Sequence, residues 1–205
     1  MISAERDLTT VHKQPGAGRL SPCMAGRLQK EYRGREALRG KGVSANMAIR
    51  QVRTMGDDIL RKECKPVKEM NRRTKQLIED MFETMYEANG VGLAAPQVGV
   101  LKQIVVIDVE DGNQYVLINP EILEQKGSRT EAEGCLSIPG KHAMVTRPAY
   151  VKVRAWDEEM QEYELEGEEL LARAICHECA HLRGELYVDV MEGELMDNEE
   201  EADKE

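Results

Sequence analysis

The sequence predicts an α+β domain in which small antiparallel or mixed sheets surround a helix near the C-terminus. Two pairs of segments alternate apolar and polar residues across short turns, a pattern typical of β-hairpins. Two other segments repeat apolar residues at helical spacing, and the second contains the pentapeptide HECAH at 177–181. These observations favour short strands around a central motif, followed by a helix that carries potential metal ligands.

The first predicted helix extends from Asn71 to Asn89. Asn71 is a suitable N-cap, because its side chain can accept a hydrogen bond from the first turn, and Gly90 is a typical stop. The apolar residues of the predicted buried face are Leu77, Ile78, Met81 and Met85. A glycine-rich loop at 90–99 follows and leads into the first strand.

The predicted strands come in two pairs. Residues 103–110 and 115–123 are separated by an Asp-Gly turn signal, which predicts that they pair with each other. Residues 150–157 and 162–169 alternate in the same way across a short polar turn. They predict a second hairpin.

The second predicted helix covers about residues 168–183 and ends at Gly184. Its apolar residues are Leu170, Leu171, Ala174, Ile175 and Leu182. After Met191 the chain holds eight acidic residues and one lysine, a composition typical of a solvated segment. We therefore expect a mobile acidic tail at 192–205.

Charge divides the 205-residue chain further. Residues 1–46 hold nine Lys and Arg against four Asp and Glu, so they carry +5, and the total of −10 leaves −15 on the remainder. We expect 1–46 to be a basic, disordered leader or a non-native extension, because it lacks hydrophobic periodicity and the pattern of a folded domain begins at Met47. The catalytic domain is expected at 47–191.

Composition argues against several classes of protein. No apolar run approaches the roughly 20 residues needed to span a bilayer, so we expect no membrane segment. An acidic domain repels phosphate backbones, which argues against specific nucleic-acid binding. The five cysteines are odd in number and follow no signal peptide, which favours reduced thiols and a cytoplasmic location. An organelle is expected only if 1–46 is a transit peptide.

The HECAH segment lies within the second predicted helix, where residues four apart project from the same face. His177 and His181 can therefore bind one metal ion together. Glu178 is not positioned as a third ligand, but it can hydrogen-bond a water held by the ion. A catalytic ion needs three protein ligands and an open position, so a third donor is expected from elsewhere in the chain.

Cys135 is the candidate third ligand, in the sequence EGCLSIPG, whose glycines and proline predict a bend that exposes the thiol. A zinc endopeptidase would instead take its third ligand from acidic residues downstream of the helix: Glu185, Asp189, Glu192 or Glu194. Cys176 and Cys179 could form a rival thiolate site. A catalytic Cys135 thiol activated by histidine, and a metal-binding protein without activity, are further hypotheses.

The glycine-rich loop contains the sequence GVGLAAPQVG, which lets backbone approach a ligand closely. Its Gln97 alone has an ordinary structural interpretation, as a turn amide that bonds nearby backbone. Together with EGCLS and HECAHLRG, however, this loop resembles the three signature blocks of the peptide deformylase family, which removes the formyl group from nascent bacterial polypeptides. The resemblance covers about residues 47–195.

The resemblance implies that Cys135, His177 and His181 bind the metal and that Glu178 is the catalytic acid/base. It implies Fe²⁺ as the native ion, with Zn²⁺, Ni²⁺ or Co²⁺ able to occupy the site. The sequence departs from the family at Ala180, where an Asp usually stands. The ligands survive this change, but a carboxylate that supports them is lost, and such losses cost about 10–100-fold in affinity or activity.

The resemblance also implies roles in substrate binding. The Gln97 side chain and the Leu136 backbone N–H would form the oxyanion hole. The chain around Val91 and Gly92 would pair with the peptide as an added strand, with Val91 lining a pocket for the methionine side chain. The expected partners are N-formylmethionyl nascent peptides and, transiently, the ribosome, and the expected state is a monomer.

Overall fold

The computed structural model describes residues 48–198. In chain order its helices and strands are α1 (Arg72–Glu87), β1 (Gly92–Ala94), β2 (Ile104–Ile107), β3 (Tyr115–Lys126), β4 (Arg129–Cys135), β5 (Ile138–Arg147), β6 (Tyr150–Trp156), β7 (Glu162–Glu168), α2 (Glu169–Leu182) and β8 (Met191–Asp197). Short 3₁₀ turns lie at Asp58–Arg61, Ala95–Val98 and Tyr187–Asp189. The predicted α+β class is confirmed, while the expectation for 1–46 falls on residues outside the described range.

The strands form two antiparallel sheets. The five-stranded sheet has the order β1-β2-β3-β6-β7, and the three-stranded sheet has the order β4-β5-β8. Both predicted hairpins are confirmed, since β2 pairs with β3 and β6 pairs with β7. The prediction of a loop at 90–99 is wrong in part, because this segment contains β1, a short strand at the edge of the larger sheet.

Helix α1 begins as predicted, with the Asn71 side chain accepting a hydrogen bond from the Thr74 N–H at 3.0 Å. Its buried face includes the four apolar residues predicted from the spacing, which pack in one cluster with residues of β1 and β2. Burying this face against the sheet stabilises a helix of this length, because helical propensity alone is marginal in water. The helix thereby fixes the loop at 88–91 that follows it.

The acidic segment near the C-terminus differs from the prediction. Residues 191–197 form strand β8, which pairs with β5, so the expectation of a mobile tail is wrong for 192–197. Met191 and Leu195 are partly buried against a small apolar cluster, while the charged residues between them face solvent. A strand with one solvated face can carry this many charged residues, although the same composition is also typical of a disordered segment.

Helix α2 is buried over most of its length, from Ala172 to Leu182. One side packs in the main apolar cluster with β2, β6 and the buried thiols Cys64, Cys176 and Cys179. Gly167 permits the close approach of β7, because a Cβ there would lie 3.0 Å from side-chain atoms of α2. Among the described residues, no helix is long and apolar enough to cross a membrane.

Candidate active site

A cleft of about 590 Å³ opens beside α2. Its walls are the loop at 88–92, the end of β4 with the start of β5, and the exposed side of α2. The predicted site residues that line it are Val91, Gly92, Gln97, Cys135, Leu136, His177 and Glu178. Segments far apart in sequence therefore converge on one concave surface, as expected of an active site.

Three potential metal ligands meet at the base of this cleft. His177 and His181 are one turn apart on α2, and their Nε2 atoms lie 3.2 Å from each other. Cys135, the last residue of β4, places its Sγ 3.2 Å from the Nε2 of His181. The ligand atoms of the three residues all lie within 4.8 Å of one another.

This arrangement fits a divalent cation. Tetrahedral coordination with metal–nitrogen distances of about 2.0–2.1 Å places two nitrogen ligands about 3.3–3.4 Å apart, close to the 3.2 Å between the two imidazoles. Burial lowers the pKa of His181 well below its ordinary value, which favours the neutral ligand form. Burial would also lower the pKa of His177, but hydrogen bonds to Cys135 and Glu133 raise it to about 10. A cation bound at Nε2 would replace the proton on that nitrogen and leave the Nδ1 bond to Glu133 in place.

Glu133 contacts one of the three potential metal ligands, a contact that the sequence did not reveal. Its Oε1 lies 2.6 Å from the Nδ1 of His177, and its carboxylate also accepts hydrogen bonds from the half-buried Arg147 and the buried Arg173. Burial would raise the pKa of Glu133, but the bonds from His177 and Arg147 lower it to about 2. A carboxylate on the second ring nitrogen fixes the orientation of a ligating histidine.

Glu178 lies next to these ligands, buried to 4% exposure. Its Oε2 has no hydrogen-bond partner among residues 48–198. A Cβ on Gly92 would lie only 2.5 Å from Oε1, so the glycine provides the space that the carboxylate occupies. Burial raises the pKa of Glu178 to about 7, within the range of a group that exchanges protons at neutral pH.

Gln97 and Leu136 both lie close to Cys135. Gln97 is buried in the 3₁₀ turn after β1, and its Nε2 is 3.6 Å from the Sγ of Cys135. Leu136 is the first residue of the two-residue turn between β4 and β5. The turn contacts the loop after α1 closely, because a Cβ on Gly90 would lie 2.7 Å from the Cδ1 of Leu136.

Val91 lies at the mouth of the cleft and is 39% exposed. Its carbonyl accepts a hydrogen bond from the N–H of Asp108, which continues the pairing of β1 with β2. Because β1 is an edge strand, its other side has no partner strand in the described part of the chain. An extended peptide could therefore add to the sheet there.

Ala180 is buried directly before His181. The Nδ1 of His181 is buried without a hydrogen-bond partner in the described part of the chain, in contrast to the Nδ1 of His177. Only one of the two imidazoles is thus held by a carboxylate. This asymmetry is consistent with the loss of support expected from the Ala180 substitution.

The rival ligand sets receive no support from the geometry. Asp189 forms an ion pair with Arg61, and Glu185 forms one with Arg183, so neither approaches the histidines. Within residues 48–198, the only group of three or more His, Cys, Asp or Glu able to share an ion is the one at the base of the cleft. Burial raises the pKa of Cys179 to about 12, which keeps this thiol protonated and a poor ligand.

An α+β domain with two helical imidazoles and a thiol converging beside a buried carboxylate has the composition of a metal-dependent hydrolase site. Comparison with known proteins identifies the class more narrowly. Residues 49–195 match the family model described as polypeptide deformylase. The chain belongs to the peptide deformylase family, and its activity is the metal-dependent hydrolysis of the N-formyl group from newly synthesised polypeptides.

Individual relatives agree with this assignment. A peptide deformylase of Agathobacter rectalis is 62% identical over 151 residues, which are 74% of this chain and 95% of the relative. The crystal structure of a peptide deformylase from Legionella pneumophila matches with a TM-score of 0.69 and 44% identity, over 71% of this chain and 87% of that one. A Met-Ala-Ser-bound peptide deformylase from Acinetobacter baumannii matches with a TM-score of 0.68 and 34% identity, over 71% and 99%.

Proposed function

We propose that Cys135, His177 and His181 bind the catalytic ion of this deformylase and that Glu178 transfers the proton during hydrolysis. The observation that carries this assignment is the convergence of the three donor atoms within 4.8 Å, beside a buried carboxylate in the main cleft. When bound, a divalent ion supplies Lewis-acid polarisation of the formyl oxygen and lowers the pKa of a water at its open position. The ion that we propose is Fe²⁺, from the family resemblance alone, because a thiolate and two imidazoles also suit Zn²⁺, Ni²⁺ or Co²⁺.

Glu178 moves the proton in both halves of the reaction. The carboxylate, which lines the cleft, accepts a proton from the attacking water and returns it to the departing amine, so that formate and a free N-terminus are released. The absence of a side chain at Gly92 leaves room for the carboxylate beside the cleft.

Gln97 and Leu136 stabilise the oxygen of the formyl group. The Nε2 of Gln97 donates to the Sγ of Cys135, and the backbone N–H of Leu136 is in the turn that follows Cys135, with all three residues lining the cleft. Both donors act on the negative charge that develops as the carbonyl carbon becomes tetrahedral, and one such donor contributes about 3 kcal/mol.

The substrate peptide adds to the free edge of β1 and extends along the cleft. Val91 lines the pocket for the methionine side chain, and Gly92 contributes backbone at the edge. The relative from Acinetobacter baumannii binds Met-Ala-Ser, a peptide of the kind that deformylation releases. For this chain we propose N-formylmethionyl nascent peptides as substrates, in the cytoplasm, by a monomer in transient contact with the ribosome.

Metal analysis combined with a deformylation assay tests the assignment. Hydrolysis of formyl-Met-Ala-Ser is measured with anaerobically prepared, iron-loaded protein and with Glu178→Ala and Cys135→Ala. Glu178→Ala should keep its metal and lose activity, whereas Cys135→Ala should lose both. Cys64→Ala is the matched control, because Cys64 is a buried thiol of the main apolar cluster outside the cleft.

Three results would contradict the proposal. Wild-type activity in Glu178→Ala would remove Glu178 from proton transfer. Full metal content in Cys135→Ala would remove the thiol from the ligand set and reopen the endopeptidase-like alternative. Activity that survives complete chelation would favour Cys135 as a nucleophile instead.

A further inference from the structure

The side-chain amide of Gln97 is held at both ends. Its Oε1 accepts a hydrogen bond from the Ala94 N–H at 2.8 Å, and its Nε2 donates to the Oγ of Ser137 at 3.1 Å. The same Nε2 lies 3.6 Å from the Sγ of Cys135. One hydrogen of the amide is donated to Ser137, and the second is donated to the Sγ of Cys135 at the base of the cleft.

Ser137 is fully buried and contacts both sides of the site. Besides accepting from Gln97, it places its backbone N–H 3.4 Å from the Sγ of Cys135. It follows Leu136 in the turn between β4 and β5, so three neighbouring residues serve the metal, the oxyanion hole and the Gln97 amide. A buried hydroxyl without a polar partner costs free energy, and for Ser137 the Gln97 amide is that partner.

An extended segment before the first 3₁₀ turn holds the backbones of both hydrogen-bonded residues. The N–H of Arg53 donates to the Gln97 carbonyl at 2.7 Å, and the N–H of Met55 donates to the Ser137 carbonyl at 2.8 Å. Alternate N–H groups of an extended chain point to the same side, so this segment bridges two otherwise separate turns. Val52, just before it, lines the cleft.

We propose that Ser137 is a positioning residue for catalysis: its hydroxyl holds the Gln97 amide so that the second N–H stays at the base of the cleft beside Cys135, where a substrate oxygen would accept it. This role rests on the proposed function of Gln97 as an oxyanion donor. Loss of the hydroxyl frees the amide to rotate, and the donor then has to be oriented during each turnover. Ser137 itself touches no substrate atom in this scheme.

A matched pair of substitutions isolates the hydroxyl. Ser137→Thr and Ser137→Val add the same bulk to a buried position, so steric costs cancel and only the hydrogen-bonding group differs. With iron-loaded protein and formyl-Met-Ala-Ser, we expect kcat of the Val variant to be about 10–100-fold below that of the Thr variant. KM and bound metal should agree within about twofold, because the ligands and the substrate edge are unchanged.

Two further variants separate this proposal from the role of Gln97. Gln97→Ala should lower kcat by about 100-fold or more, and in that background the Thr and Val variants should differ by less than about twofold. Thr74→Val removes another buried hydroxyl, about 20 Å along α1 from the cleft, and should change thermal stability but not kcat.

Each outcome decides one question. Equal kcat for the Thr and Val variants, with Gln97→Ala impaired, would overturn the role of Ser137 and leave the oxyanion assignment intact. Wild-type kcat in Gln97→Ala would overturn the oxyanion assignment and the role of Ser137 with it. A Thr–Val difference that persists in the Gln97→Ala background, or that follows bound metal, would show that Ser137 acts on Cys135 instead.

Discussion

Substitution of Gly92 by alanine tests directly whether the position of Glu178 controls turnover. The added Cβ would lie 2.5 Å from the Oε1 of Glu178 and 3.0 Å from both Cγ and Cδ, whereas an ordinary contact begins at 3.4 Å. The carboxylate must therefore move by about 0.9 Å, the difference between these distances. Misplacement of a reacting group by about 1 Å can cost about 100-fold in rate, so kcat should fall by about 10–100-fold.

The steady-state kinetics of formyl-Met-Ala-Ser hydrolysis, measured together with bound iron, decide the outcome for Gly92→Ala. Metal content should equal that of the wild type, because the three atoms nearest to the added Cβ all belong to Glu178 and none to a ligand side chain. In the double variant Gly92→Ala/Glu178→Asp, the acidic side chain is one methylene shorter, so the carboxylate lies farther from the added methyl group. The double variant should therefore lose less activity than the product of the two single effects.

Other results would refute this steric explanation. Unchanged kcat with a raised KM would mean that the methyl group obstructs the peptide at the β1 edge and leaves Glu178 undisturbed. Loss of metal in proportion to activity would mean that the substitution reaches α2 and its ligands. Multiplicative effects in the double variant would remove direct contact between the two side chains as the cause.

Three further predictions concern the ligands and the fold. Glu133→Gln should weaken iron binding by about 10–100-fold, measured by chelator competition on protein whose circular dichroism is native; unchanged affinity would contradict the support of His177 by Glu133. Asn71→Ala should lower the free energy of unfolding by about 1 kcal/mol, and hence Tm by about 2–4 °C, with kcat unchanged; an unaltered Tm would mean that the cap contributes nothing. Chelation should lower Tm by about 5–10 °C relative to protein held at 100-fold excess of ion over Kd, and equal melting curves would contradict a structural contribution of the ion.

Much of the fold follows from local patterns. Asn71 and the apolar spacing behind it predict α1 to within two residues at its end, and alternation predicts both hairpins of the larger sheet. These elements bury one continuous face, so periodicity and burial coincide. The same holds for α2, which begins at Glu169, one residue from the predicted start.

The smaller sheet was not predicted as a sheet, for a physical reason. Strand β4 is largely exposed, and its one buried side chain is the charged Glu133, so its sequence has no apolar alternation. Strand β8 is acidic and mostly exposed, and it forms because β5 offers a partner. Pairing with a distant strand is decided by tertiary context, which residue patterns report poorly.

The site residues also differ in how far the sequence could predict them. Motif resemblance brought Cys135, His177 and Glu178 together, and the structure places them in one cleft. The residues that support them were not found, because Glu133 and Ser137 act through contacts with residues some 40 positions away. Glu133 and Ser137 flank Cys135 in the sequence, but only folding brings each of them to a partner that lies so far away along the chain.

The position of the ligands also links the two sheets mechanically. Cys135 ends a strand of the three-stranded sheet, whereas His177 and His181 belong to the helix packed on the five-stranded sheet. An ion bound by all three closes a loop of about 40 residues between Cys135 and His177, much as a cross-link does, and so penalises separation of the sheets. Substitutions at the outer edge of the smaller sheet, far from any substrate, should therefore register as faster loss of iron.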